Sequence, residues 1–179
     1  MLTQLQEIKL IARCVAFDDR DTFGELVKNY QPSLTKFLYN LTGCDSYLTD
    51  DLAQETFVKA WLSIGLFKGA SKFKTWLFRI GYNEYLNYVR RKKEVAVESL
   101  SLIHVESDRG CDTIDAKIDV PVLLESLGEK ERVIVYLYYM EDLPIKKICS
   151  ITGIPSGTVK VYLSRARVRL AAIMEADNK

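Results

Sequence analysis

Apolar residues recur at spacings of three and four along almost the whole chain, and the pattern fails once. It runs from roughly Gln4 to Lys93, through Leu5 to Phe17, Asp21 to Asn40, Thr49 to Ser63 and Phe73 to Arg91. From Val95 to about Asp119 it decays into a stretch rich in Ser, Asp and Gly, although Val97, Leu100, Leu102 and Ile103 there remain able to dock on a partner surface. It resumes at Val120 and continues through Leu127, Glu129 to Tyr139, Pro144 to Thr152 and Ser156 to Met174. No alternating segment long enough for a strand intervenes, and proline is taken to lie outside the helix interiors. The fold class that satisfies this pattern is all-α: two small helical domains, 1–93 and 120–179, joined by a flexible linker over 94–119. A length of 179 residues accommodates both.

The last two helices carry the most specific local signal. Ile145, Ile148, Ile151 and Ile154 give the first an apolar face, Gly153 permits the left-handed turn that ends it, and Ser156 is placed to cap the second. Val159, Leu163 and Leu170 form that second helix's buried stripe. Thr158, Lys160, Ser164, Arg165, Arg167 and Arg169 lie off the stripe, with no acidic residue between Ser156 and Leu170. Such a helix-turn-helix offers hydroxyls and cations to phosphates and base edges in a DNA major groove, while a solvated helix with ordinary surface arginines would look the same.

The formal net charge is only +1, so any basic surface must be local. Asp18, Asp19, Asp21, Asp45, Asp50, Asp51 and Glu55 weight the first third towards acid, whereas Lys72 to Lys93 holds Glu84 as its only carboxylate. Within Thr49 to Trp61, Leu52, Phe57, Ala60 and Trp61 can pack inward while Asp51 and Glu55, four apart, project together beside Asp50, Gln54 and Val58. That face suits a basic partner helix; equally, Thr49, Asp50 and Asp51 suit a helix start, as cap and dipole complement. Downstream, Arg79, Asn83, Asn87 and Arg90 form a polar stripe on one side of a helix, with aromatic residues among the charges. Phosphate neutralisation next to exposed rings suits unpaired nucleic acid. Phe73, Leu77 and Ile80 read as core, and Trp76, Tyr82 and Tyr85 are open to either role.

Several classes fall away. Cys14, Cys44, Cys111 and Cys149 are far apart and His104 is the single histidine, so no zinc spacing exists and reduced thiols of a cytoplasmic protein are expected. There is no phosphate loop, nucleophile elbow or Cys/His pair, and Asp50, Asp51 and Glu55 on one helix make a poor metal site. No enzyme activity, metal, cofactor or small-molecule substrate is expected. The N-terminus, interrupted by Gln6, Glu7 and Lys9, is neither signal peptide nor anchor, and no apolar run reaches spanning length, so no membrane insertion is expected.

Together the two informative blocks resemble a family. Asp50-Asp51-Leu52-Ala53-Gln54-Glu55-Thr56-Phe57 with Lys59-Ala60-Trp61, then Phe73, Thr75-Trp76-Leu77, Arg79-Ile80, Asn83 and Arg90-Arg91, looks like region 2 of the extracytoplasmic-function sigma factors. Gly157-Thr158-Val159-Lys160 with Leu163, Arg165-Ala166-Arg167 and Leu170, after Ile154-Pro155, looks like the promoter-reading half of their region 4. The resemblance implies a dissociable specificity subunit of bacterial RNA polymerase, in the cytoplasm, with promoter DNA, duplex and single-stranded, as its ligand and an anti-sigma factor as a further partner. It implies that Asp51, Gln54, Glu55 and Val58 dock on the clamp helices of core RNA polymerase. By the same implication the loop from Ser63 to Lys72, with Ser63, Lys68 and Lys72, holds a base flipped from the −10 element. Trp76, Arg79, Asn83, Arg90 and Arg91 then grip the adjacent DNA. Thr158, Lys160, Ser164, Arg165 and Arg167 fall on the −35 element, the apolar remainder of region 4 on the polymerase flap, and the linker towards the RNA exit channel.

Some residues depart from the family pattern. Val161-Tyr162 stands where Ser-Arg is usual, Leu48-Thr49 precedes the acidic motif in place of an Asp-Ala type of entry, and Gly81 occupies a helical position at a cost of about 1 kcal/mol. The sequence is also compatible with two readings from other classes: a stand-alone helix-turn-helix regulator, and an interaction protein that only sequesters polymerase or another factor.

Overall fold

A computed structural model describes residues 2–98, 123–124 and 126–177 of the chain, all helices and connections. Among the described residues there are two compact units, 2–38 with 46–98 and 39–45 with 123–124 and 126–177. Most of the expected linker, with Leu100, Leu102, Ile103, His104 and Cys111, lies outside the described residues, as does Val120.

The N-terminal helices are α1 (Gln4–Phe17), α2 (Arg20–Thr42), α3 (Ser46–Ser63) and α4 (Phe73–Glu98). Thr3 and Gln6 start α1 with a reciprocal capping box, and Asp18, in the left-handed region at φ 50°, ends it. Asp19 then starts α2: its carboxylate accepts the Thr22 N–H at 3.0 Å and the Thr22 hydroxyl at 2.7 Å. These bonds, the backbone one foremost, hold the Asp19 carboxyl below its ordinary pKa. The interior is built from Leu26, Leu34, Phe37 and Leu38 of α2, Leu52 and Ala60 of α3, and Phe73, Leu77 and Phe78 of α4, all nearly or wholly buried. Phe37 and Phe78 stack with ring centroids 4.6 Å apart.

Three details differ from the sequence reading. Pro32 lies inside α2, contrary to the expectation of proline-free helices. Proline gives no N–H to the carbonyl four residues back, but both Lys28 and Pro32 are exposed, where water can take that bond. Helix α3 begins at Ser46, so Thr49 is already inside it and buried, and the cap role suggested for Thr49, Asp50 and Asp51 does not hold. Helix α4 continues to Glu98, beyond the boundary expected at residue 93.

Gly81 acquires a physical reason. A Cβ built there would stand 3.1 Å from Leu34 Cδ1, 3.4 Å from Thr56 Oγ1 and 3.6 Å from Leu38 Cδ2, so side chains of α2 and α3 pack directly over this position of α4. A leucine at position 81 has no space, and Gly81→Leu is expected to destabilise this unit by about 1–3 kcal/mol, the usual range for overpacking. Urea unfolding followed by circular dichroism measures it.

The C-terminal helices are α5 (Glu129–Val135), which runs into a wide π turn over Tyr136–Met140, then α6 (Ile145–Thr152) and α7 (Ser156–Asp177). The sequence suggested one regular helix through Tyr139. Instead, the Glu141 N–H reaches back to the Tyr136 carbonyl at 3.2 Å, closing the wider ring. Gly153 ends α6 at φ 72°, donating its N–H to the Cys149 carbonyl, as the turn requires. The Val159 N–H bonds the Pro155 carbonyl at 3.0 Å, so Pro155 takes the cap position and Ser156, expected as the cap, is the first helical residue. Ile148, Ile151, Val159, Leu163 and Ala166 close the core against Val133, Ile134 and Leu137.

Candidate nucleic-acid interface

Helix α3 buries Leu52, Ala53, Thr56 and Ala60 and leaves Asp51, Gln54, Glu55 and Val58 exposed on the other side. Those four residues and Leu62 form one wall of an open groove of about 770 Å³, whose other wall is Asn87, Arg90 and Arg91 of α4. An adjoining hollow sets Asp51 and Glu55 against Tyr88, Arg91 and Lys92. Among the described residues no ion pair within 4.0 Å engages Asp51, Glu55, Arg90 or Arg91. The charges on both walls therefore remain available to a partner, and Val58 and Leu62, 57% and 77% exposed, supply the apolar contact beside them. At the floor, Lys59 pairs with Glu84, a carboxylate that is only 4% exposed. This tie between α3 and α4 was not visible in the sequence, because Glu84 looked like one acid in a basic stretch.

The connection from α3 to α4 opens as a 3-10 turn, Ile64–Leu66, anchored by buried Ile64. Ser63 donates its hydroxyl to the Lys59 carbonyl at 2.5 Å, Gly69 takes a left-handed φ of 68°, and Leu66, Lys68 and Lys72 are exposed. Phe67 packs against Phe73 and Trp76 at 5.7 and 5.3 Å, and Trp76 is half-buried. Tyr82 and Tyr85, open to either role in the sequence, are core at 2% and 6% exposure. Arg79, Asn83 and Arg90 are exposed along α4, and Arg90 donates to Asn87 Oδ1 at 3.0 Å. Arg90 and Arg91 thus border the acidic groove as well as ending the basic stripe.

On α7, Thr158, Lys160, Ser164, Arg165 and Arg167 are all exposed. Lys160, Val161, Ser164, Arg165 and Val168, spaced by three and four, form its outward face. Val161 and Val168, 47% and 70% exposed, place methyl groups among the cations. Arg167 is held apart from that set: its Nε donates to the Tyr139 hydroxyl at 2.6 Å and its guanidinium lies 6.0 Å from the ring centre. Arg169 pairs with Glu131, a carboxylate 6% exposed, at 2.9 Å. Nothing in the local sequence pattern could have paired α7 with residues 28 and 38 positions away. Among the described residues no cluster of His, Cys, Asp and Glu could hold a metal ion, and no helix is long and apolar enough to cross a membrane.

Known proteins match this arrangement in order. The family model Sigma-70 region 2 covers residues 26–95, and Sigma-70, region 4 covers residues 118–170. The ECF RNA polymerase sigma factor SigW of Bacillus subtilis is 30% identical over 91% of this chain and 94% of its own. SigM of the same organism is 32% identical over 85% and 94%. Among solved structures, the sigma factor RpoE of Bartonella quintana, in complex with the anti-sigma factor NepR, aligns with a TM-score of 0.71 at 26% identity, over 87% of this chain and 98% of that one. With both regions matched and relatives similar over 85–91% of its length, the chain belongs to the extracytoplasmic-function sigma factors of the sigma-70 family, the alternative sigma factors that direct RNA polymerase to promoters.

Proposed function

We propose that the α3 face of Asp51, Gln54, Glu55 and Val58 docks on the clamp helices of core RNA polymerase, with residues 1–93 acting as region 2, 94–119 as the linker towards the RNA exit channel and 120–179 as region 4. The observation that carries this reading is the set of exposed carboxylates on α3, unpaired among the described residues, whose groove Arg90 and Arg91 border from α4. Uncommitted carboxylates lie on α3, while the exposed cations Lys68, Lys72 and Arg79 lie on the loop and α4. The loop from Ser63 to Lys72 receives the unpaired −10 base beside the half-buried Trp76, Arg79, Arg90 and Arg91 neutralise the flanking phosphates, and Asn83 adds a hydrogen bond to them. Ser63 takes part as an acceptor, since its hydroxyl proton is given to the Lys59 carbonyl while the oxygen keeps its lone pairs. On α7, Lys160, Ser164 and Arg165, with Thr158 at the margin, read the −35 element, and Arg167 contributes a phosphate contact from its tethered position.

Opening the duplex requires no covalent step. Binding energy to the extruded base and to phosphates offsets unstacking, which costs about a few kcal/mol per step. The apolar surface of region 4 rests on the polymerase flap. An anti-sigma factor is the further partner, a reading supported by the Bartonella quintana relative seen bound to one. The site of action is the cytoplasm, where polymerase and DNA are. Footprinting tests the reading: protection of −35 and −10 sequences is expected only when core polymerase is present. Specific protection by the purified chain alone would instead favour a stand-alone regulator.

A further inference from the structure

The start of α4 lacks a cap of its own. Lys72 holds the cap position, its carbonyl accepting the N–H groups of Thr75 and Trp76 at 3.0 and 3.2 Å, and the first turn contains no acidic residue. The orphan N–H groups and the positive end of the helix dipole therefore meet lysines from their own segment instead of a carboxylate. The acceptor comes from α1, 66 residues away in sequence: Glu7 Oε1 takes the Phe73 N–H at 3.3 Å. Its other oxygen accepts the hydroxyl of Tyr30 on α2. Burial, then the Glu7 bond, pushes the Tyr30 pKa up from its ordinary value.

The surrounding packing makes this a rigid node. Phe73 is wholly buried, Tyr30 is 8% exposed, and their rings lie 5.2 Å apart. Helix α1 also packs on the Ile64–Leu66 turn. One helix thus fixes both ends of the loop between α3 and α4: the 3-10 turn by packing, the first residue of α4 by the Glu7 carboxylate.

We infer that Glu7 is a positioning residue for promoter opening, holding the loop from Ser63 to Lys72 in the shape that receives the unpaired base. The inference rests on the base-holding role proposed above for that loop. A preformed pocket binds the extruded base without first ordering the loop, so loss of the brace lowers the melted fraction of bound promoter and leaves initial binding unchanged.

The test uses the full chain reconstituted with core polymerase on a promoter that the wild-type protein opens. Permanganate reactivity of unpaired thymines is divided by the fraction of promoter bound in a footprint. Glu7→Ala is expected to lower that ratio about tenfold, the scale of one charge-assisted hydrogen bond, with faster amide exchange confined to the loop and the start of α4. Glu7→Gln, which keeps an acceptor, restores most of the ratio. An unchanged ratio in Glu7→Ala, or Glu7→Gln as defective as Glu7→Ala, overturns the inference. Should Glu7→Ala fail to fold, Tyr30→Phe carries the test: a severalfold loss supports the brace and no loss overturns it. A Leu66→Ala, Lys68→Ala double variant separates the two levels. If it melts DNA as the wild type does, the base-holding reading itself fails and the brace with it; if it is impaired and Glu7→Ala is not, only the brace fails.

Discussion

Asp51→Arg is expected to weaken binding to core RNA polymerase by about a hundredfold, ~3 kcal/mol, while leaving the helical content unchanged. The magnitude follows from the position. Asp51 is exposed on α3, lines both the groove and its neighbouring hollow, and faces Arg91 and Lys92. On the proposed docking to a basic partner surface, reversal removes an attraction, adds a repulsion, and puts a third cation beside Arg91 and Lys92. Asp51→Asn, which loses only the attraction, should fall between the wild type and Asp51→Arg. Fluorescence anisotropy with labelled sigma and core polymerase measures both, and raising the salt concentration should narrow the differences.

Arg165→Ala is expected to lower −35-dependent promoter use by about 10- to 100-fold and to relax selectivity at the base it contacts, the range for loss of a good arginine–base pair. Arg165 sits on the outward face of α7 between Ser164 and Val168, and among the described residues no hydrogen bond or ion pair holds it. Arg167→Ala should behave differently. Its Nε is committed to the Tyr139 hydroxyl, so under the proposed role as a phosphate contact its loss is expected to weaken all promoters alike and to reduce the salt slope by about one unit. Holoenzyme binding to a library randomised over the −35 element, repeated at several salt concentrations, separates the two. Equal loss of selectivity in both variants would count against this division of labour.

What the sequence disclosed depended on whether the cause was local. Periodicity located the helices because each buries one face, and Gly153 marked the turn because a left-handed residue favours glycine. The outward α7 residues and the acidic α3 face were legible for the same reason, since both are read from spacing on a single helix. Contacts between helices were not legible. Glu7 with Phe73 and Tyr30, Lys59 with Glu84, Glu131 with Arg169 and Tyr139 with Arg167 all join distant segments. Tyr82 and Tyr85 are not separable from Trp76 by composition, because α4 carries both wholly buried rings and partly buried ones, Trp76 and Tyr88. Helix α3 starts at Ser46, three residues before the start that Thr49 suggests, and Thr49 lies in the core. Gly81 looked like a defect in α4 until side chains of α2 and α3 were seen packed over it.

The most direct test of promoter selection is start-site mapping with core polymerase on a library of genomic fragments, with and without this chain. New start sites sharing −35 and −10 sequences are expected with the wild-type protein, lost with Asp51→Arg and reduced and less selective with Arg165→Ala. No new start sites, in the presence of demonstrated binding to core polymerase, would contradict promoter selection and leave a protein that only sequesters the enzyme.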